Sequence, residues 1–292
     1  MRRRTLEADG TAAATFRATA YPPWWRVIGA TLFAASRLSL PAMLFAILLS
    51  HVPVTALTVI RWFGWFFVLP ALGAAAIARA LAARMSVGEE LTIRRAGVRL
   101  DVPRAAIGRV TPWRVPLPGP GFGIVLASGR RLGHGIAAPD PRPVLVALAE
   151  HGVPTAVAAA MHPVIVYASA KAAHGRWRWP HLLARFPLFA LGATALLFNV
   201  HQHIAYGGLL GQYYMEGLGP YLLTFAVYWA TVTIYQVLYA SLWRGLGEPV
   251  CLLAAAVAPS HAARVRRAAE LTIRVLYYAG VPALLALRFA PW

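Results

Sequence analysis

The chain has 292 residues, 59% of them hydrophobic and only 13% charged, with a mean hydropathy of +0.58 and a formal net charge of +18. That composition excludes an ordinary soluble domain of this length, and the single Cys251 excludes an internal disulfide or a multi-cysteine metal or redox motif. The basic residues flank apolar runs, so their expected partner is the anionic leaflet of a bilayer and not nucleic acid.

In chain order, residues 1–26 read as a flexible basic tail with five arginines, lacking the apolar core of a signal peptide. A helix needs about 20 apolar residues to cross the hydrocarbon. Residues 27–84 read as a transmembrane hairpin, with crossings near 27–50 and 55–78. Arg37 falls inside the first crossing; an interfacial helix over 24–36 with a span over 38–60 would accommodate it and change the helix count from five to six. Residues 85–152 have another texture: short alternating runs at 91–95, 98–102, 107–113 and 122–127, separated by turn signals such as Ala96-Gly97 and Ser128-Gly129. Residues 141–151 then read as a closing helix with Val144, Leu145 and Leu148 on one face. Residues 153–180, interrupted by His162-Pro163, read as an interfacial or re-entrant helix and linker, and 249–259 as a proline-bracketed interfacial segment. Residues 181–292 hold three further crossings, near 182–202, 221–243 and 271–289.

The basic residues are sorted along this pattern. Five lie in 1–26, fifteen in 79–185 and five in 244–274, which is 25 of 28; the others are Arg37, Arg61 and Arg288. Lys and Arg stay on the cytoplasmic side of a threaded chain. The expected topology therefore has the N-terminus and the 85–152 insert inside, the C-terminus and the 199–220 loop outside. Trp24, Trp25, Trp177, Trp179 and Trp243 fall at the inner ends, and Trp62, Trp65 and Trp292 toward the outer side. The predicted fold is thus a polytopic α-helical membrane protein of about five transmembrane helices. A small cytoplasmic β-rich domain is inserted between the second and third. With 27 Arg against one Lys171, the expected setting is a bacterial inner membrane.

A transmembrane hairpin, then ELTIRRAGVRLDVPRAAIGRV, then GFGIVLASGRRL and a helix, resembles the bacterial PH-like domain membrane proteins over residues 55–152. The likeness rests on the strand rhythm and on VPRAAIGRV, with its strand, proline and Ile-x-x-Val step. It implies a small PH-like barrel with a closing helix, and the insert's length leaves room for a missing strand.

Candidate chemistry concentrates in the 199–220 loop, NVHQHIAYGGLLGQYYMEGLGP. His201, His203 and Glu216, with His51 from the first loop, form a candidate metal or polar periplasmic cluster, suited to Zn or Cu or to acid–base work. Residues two apart share a face only in extended chain, so His201 and His203 can share an ion only if the helix ends near Val200. No cofactor is otherwise expected. Tyr214, Tyr221, Tyr228 and Tyr235 recur every seven residues and Tyr239 follows one turn later; they mark a packing face or a lined cavity. Arg176, Arg178, Arg264, Arg266 and Arg267 are expected to contact anionic lipid. Glu270 and Arg274, and Arg244 with Glu248, are expected to pair along their helices. Arg37, a costly charge within a span, is a candidate contact to a partner subunit. No P-loop, GxSxG, HExxH or CxxC motif occurs. The expected function is accordingly a non-enzymatic membrane subunit, an assembly or docking platform with protein partners. The alternatives are a membrane enzyme or metal-binding protein acting on a lipid or lipid-linked substrate at the outer face, and a component of a lipid or small-molecule transporter.

Overall fold

The structure is a computed structural model that describes residues 14–51, 54–174 and 179–289. Its contacts divide the chain into two units. The first comprises Met1–Ala35, Pro70–Gly175 and Glu248–Ala269; the second comprises Ser36–Leu69, Arg176–Gly247 and Glu270–Trp292.

The first unit is organised by a seven-stranded antiparallel sheet. Its strands are β1 (Ala14–Tyr21), β2 (Ala82–Val87), β3 (Glu90–Arg95), β4 (Val98–Pro103), β5 (Ile107–Pro112), β6 (Gly121–Leu126) and β7 (Gly135–Ala137), in the order β4-β3-β2-β1-β7-β6-β5. The middle strand, β1, comes from the segment expected to be a flexible tail. Over the described residues from Ala14 that expectation fails, because the segment's small Ala and Thr residues give little apolar contrast, although Arg17 is exposed while Ala18 and Ala20 are buried on the opposite face; the rest of the expected tail lies outside the described residues. β1 pairs with β2 across the whole helical hairpin, Thr19 opposite Ala82. The β3–β4 turn puts Ala96 and Gly97 at positive φ, +38° and +84°, as a two-residue hairpin turn demands.

The sheet's core holds Met85, Leu91, Phe122, Ile124 and Ile136. It is closed by Val144, Leu145 and Leu148 of α4 (Arg142–Glu150), the face that their spacing predicts. Two further helices, α5 (Thr155–Ala160) and α6 (Pro163–Ala173), contribute Ala156, Ala159 and Ile165 to the same core. The 153–180 segment is therefore not a surface element over its described part. His162-Pro163 is a helix start: Pro163 sits in the first turn and His162 Nδ1 accepts from the Val164 N–H at 3.3 Å.

Helix α1 (Pro23–Leu49) leaves β1, and the helix Ala56–Ala80 returns to β2. The latter consists of α2 (Ala56–Trp62), a wide turn at Phe63–Val68 and α3 (Leu69–Ala80). A second small cluster lies where the strands meet these helices. Tyr21, Leu81, Trp113 and Ala137 are buried together, with Ile77 packed on them. The Arg26 guanidinium lies 3.8 Å over the Trp113 ring. Gly135 is required beneath that ring, since a Cβ there would stand 2.8 Å from Trp113 Cζ2.

The second unit is helical. It contains α7 (Trp179–Leu183), a wide turn at Ala184–Leu188, α8 (Phe189–Tyr206), α9 (Gly211–Glu216), most of α10 (Leu218–Val257) and most of α11 (Ala262–Phe289). At about 1.5 Å per residue, the 40 residues of α10 extend about 60 Å, twice the hydrocarbon thickness. Pro249 lies inside it, so the expected separate segment at 249–259 is instead mostly its continuation. Four residues before that proline stands Gly245, whose backbone yields most readily to the ring. Leu40, Met43, Val59, Ile234 and Leu238 form this unit's core cluster.

Among the described residues, four helices are long and apolar enough to cross a membrane: Pro23–Leu49, Ala56–Ala80, Pro180–Tyr206 and Leu218–Val257. The fifth expected crossing, 271–289, is helical but is not among these four over the described residues. The first half of α11 carries Arg264, Arg266, Arg267, Glu270 and Arg274.

Candidate functional site

The 199–220 loop is organised by amides and not by imidazoles. Helix α8 runs on through Tyr206 and ends at Gly207, φ +72°, so His201 and His203 lie on a helix and diverge. The His201 ring packs 5.2 Å from Tyr228 and 6.0 Å from Tyr206. His203 is exposed, with Nδ1 2.9 Å from the Asn199 carbonyl. His51 is exposed. Among the described residues no three His, Cys, Asp or Glu side chains are grouped to hold a metal ion, so the expected cluster of His51, His201, His203 and Glu216 does not assemble. The condition set by their spacing, a helix ending near Val200, is not met.

What does assemble is a buried amide pair. Gln202 and Gln212 are almost wholly buried. Gln202 Nε2 donates to Gln212 Oε1 at 2.9 Å, and the Gln212 N–H donates to Gln202 Oε1 at 3.2 Å. Gln212 Nε2 donates in turn to Glu216 Oε2 (2.8 Å) and Thr224 Oγ1 (3.0 Å), while the Tyr206 hydroxyl donates to Glu216 Oε1 (3.2 Å). Glu216 Oε1 thereby ties α9 to α8 and its Oε2 braces Gln212 within α9, while Gln212 itself ties α9 to α8 and to α10. Gln212 and Thr224 were not legible as members; only a buried amide at 202 could have pointed to an amide partner.

The tyrosine series divides. Tyr214 lies on α9 and is exposed; a break at Gly217, φ +89°, separates it from α10. Tyr221 and Tyr228 pack on Phe198 at 5.1 and 6.0 Å. Tyr235 joins the Leu40 and Ile234 cluster, and the Tyr239 hydroxyl donates to the Leu276 carbonyl at 3.2 Å. A seven-residue step drifts about 20° on a straight helix, so the later tyrosines turn toward other neighbours. The same unit buries Arg185, counted in the sequence as a flanking charge: its guanidinium lies 4.3 Å over the Tyr277 ring, whose hydroxyl bonds the Arg185 carbonyl at 2.8 Å.

In the first unit a polar node forms around Glu248. Arg266 grips it with two bonds, at 2.7 and 3.2 Å, Lys171 Nζ donates at 3.1 Å, and the Tyr167 hydroxyl donates to the same carboxylate. Burial pushes the Tyr167 phenol well above its usual pKa, and the adjacent Glu248 charge adds to the shift. Arg266 is only 5% exposed, so it is a structural counter-ion and not the expected lipid contact. Arg264 and Arg267 are exposed; Arg176 and Arg178 lie outside the described residues. Arg37 is exposed on α1. The expected Arg244–Glu248 pair does not form: Glu248 takes Arg266, and Arg244 lies 3.6 Å from Glu270. Partners distant in sequence win here over those one turn away.

Comparison with family models, with characterised proteins and with solved structures gives no match.

Proposed function

We propose that the chain is a non-enzymatic integral membrane subunit in which a PH-like sheet module is carried on membrane helices as an assembly or docking platform. The observation that supports this most is the state of the long helices. In the most apolar window of each, at most 22% of the residues are buried, and for Ala56–Ala80 the share is 6%. Trp65 and Leu223 are both 67% exposed. Apolar faces this large need lipid or other subunits around them. Seven antiparallel strands followed by α4 support the PH-like reading, with β1 as the strand that the insert alone lacks. The distribution of basic residues supports a bacterial inner-membrane location with the sheet in the cytoplasm.

The proposed role is scaffolding, with apolar helix faces open to partner subunits and Arg37 on one of them. Gentle solubilisation of the tagged chain from its native membrane, followed by native electrophoresis and mass spectrometry, tests it. A stoichiometric subunit that stays bound is the expected result; a chain that runs strictly alone would contradict it. The outer-face metal reading loses its basis with the divergence of His201 and His203.

A further inference from the structure

The exposed face of strands β1 to β4 carries an arrangement that folding alone does not favour. In the pairing register Arg17 stands opposite Arg84, Arg84 opposite Arg94, and Arg94 opposite Arg99. Four arginines thus form one continuous row across four strands, each exposed. Directly opposed residues have Cβ atoms about 5 Å apart, and like charges at that spacing repel. The neighbouring row on the same face is Thr15, Ser86, Thr92 and Asp101. Its one carboxylate, Asp101, takes the Arg99 Nε at 2.7 Å and the Thr92 hydroxyl at 2.6 Å. The row itself consists of arginines alone.

The row also lines a shallow concavity of about 790 Å³, whose lining includes Arg17, Arg84, Arg94, Arg95 and Arg99 together with Ala82 and Ala83. Its place in the chain is specific. β1 runs into α1 two residues after Tyr21, and β2 begins two residues after α3 ends at Ala80. Arg84 is four residues past Ala80, about 13 Å of strand. The β3–β4 turn lies at the same end of the sheet, and its tip presents Val98, 69% exposed.

We propose that this row is a binding site for phosphate-bearing headgroups of anionic lipid, at the surface of the bilayer entered by the adjoining helices. Planar guanidinium groups at strand spacing, with the Thr15 and Ser86 hydroxyls on the next row, offer the donor set that a phosphate oxyanion takes. A bound anion would also remove the repulsion built into the register. The assignment rests on the membrane-anchored reading above, but not on the presence of a partner subunit.

The test titrates the full-length chain in neutral detergent with dihexanoyl-phosphatidylglycerol, dihexanoyl-phosphatidylcholine and inorganic phosphate, by calorimetry. Saturable binding of the phosphatidylglycerol alone is expected. The combined variant Arg17→Gln, Arg84→Gln, Arg94→Gln should weaken it at least about tenfold. The combined variant Arg130→Gln, Arg131→Gln, which removes exposed charge elsewhere in the same unit, should change it less than about twofold. Equal loss in both variants, or no loss in the first, would overturn the site. Inorganic phosphate binding as tightly as phosphatidylglycerol would overturn the headgroup assignment in favour of a soluble ligand. Arg84→Gln alone should raise the melting temperature in anion-free detergent, because Arg84 stands between two arginines; a fall would contradict the repulsive register. A chain without partners would sink the platform reading and leave these heats unchanged.

Discussion

In the sheet unit Met85, Phe122 and Val144 are closed off from solvent, whereas on the helical unit Leu48, Trp65 and Leu223 are mostly exposed. Both units are built from the same apolar residue types. The sheet has inner and outer faces, and α4, α5 and α6 cover the inner one. The long helices have apolar side chains all round and too few neighbours to cover them. The sheet unit thus buries its apolar face in its own core, while the long helices leave most of theirs uncovered, as helices suited by length and composition to cross a membrane do.

Core truncation should break the comparison most sharply. Phe122→Ala is expected to cost about 3–5 kcal/mol and to expose the sheet to limited proteolysis, whereas Leu223→Ala should change stability by under about 0.5 kcal/mol; chemical denaturation in detergent checks both. The next largest effect concerns charge. Arg266→Met leaves Glu248 half-buried with Lys171 and Tyr167, and should cost about 2–3 kcal/mol, moderated by Glu248's partial exposure; restoring the charge with Arg266→Lys should recover part of it, because the paired grip is lost.

A smaller loss, about 1–2 kcal/mol, is expected for Gln212→Ala, which strands the Gln202 amide; faster hydrogen exchange across residues 207–217 would report it. The smallest effect is acid sensitivity of the β3–β4 hairpin. The Thr92 hydroxyl, then Arg99, holds the Asp101 carboxyl below its usual value near 3.8. The stabilisation is therefore present above that value and lost as pH falls through the lower, folded one. Asp101→Asn should flatten that acid limb, read by exchange at β3 and β4.

The helices were legible because runs of about 20 apolar residues have few alternatives. Strands β3 to β6 were legible because Leu91, Ile93, Val102, Ile124 and their neighbours alternate and are bounded by Ala96-Gly97 and Ser128-Gly129. β1 was not, because its pairing residues lie across a helical hairpin and its Ala and Thr carry no strong pattern. The histidine cluster misled because periodicity shows which residues share a helix face only once the helix end is known, and Gly207, not Val200, ends it. Glu248 was paired with its near neighbour Arg244 by spacing, while tertiary packing supplied Arg266 to Glu248 and Glu270 to Arg244. Arg17, Arg84, Arg94 and Arg99 are scattered in sequence and become a row only through register.

The central claim, that the helices cross a membrane and leave the sheet on the basic side, is tested most directly by cysteine accessibility. In a Cys251→Ala background, single cysteines replace Ser128 in the turn after β6 and Leu209 in the turn between α8 and α9, and intact cells receive an impermeant maleimide. The account predicts labelling of Leu209→Cys at once and of Ser128→Cys only after permeabilisation. Labelling of both from the same side, or of Ser128→Cys from outside, would contradict it.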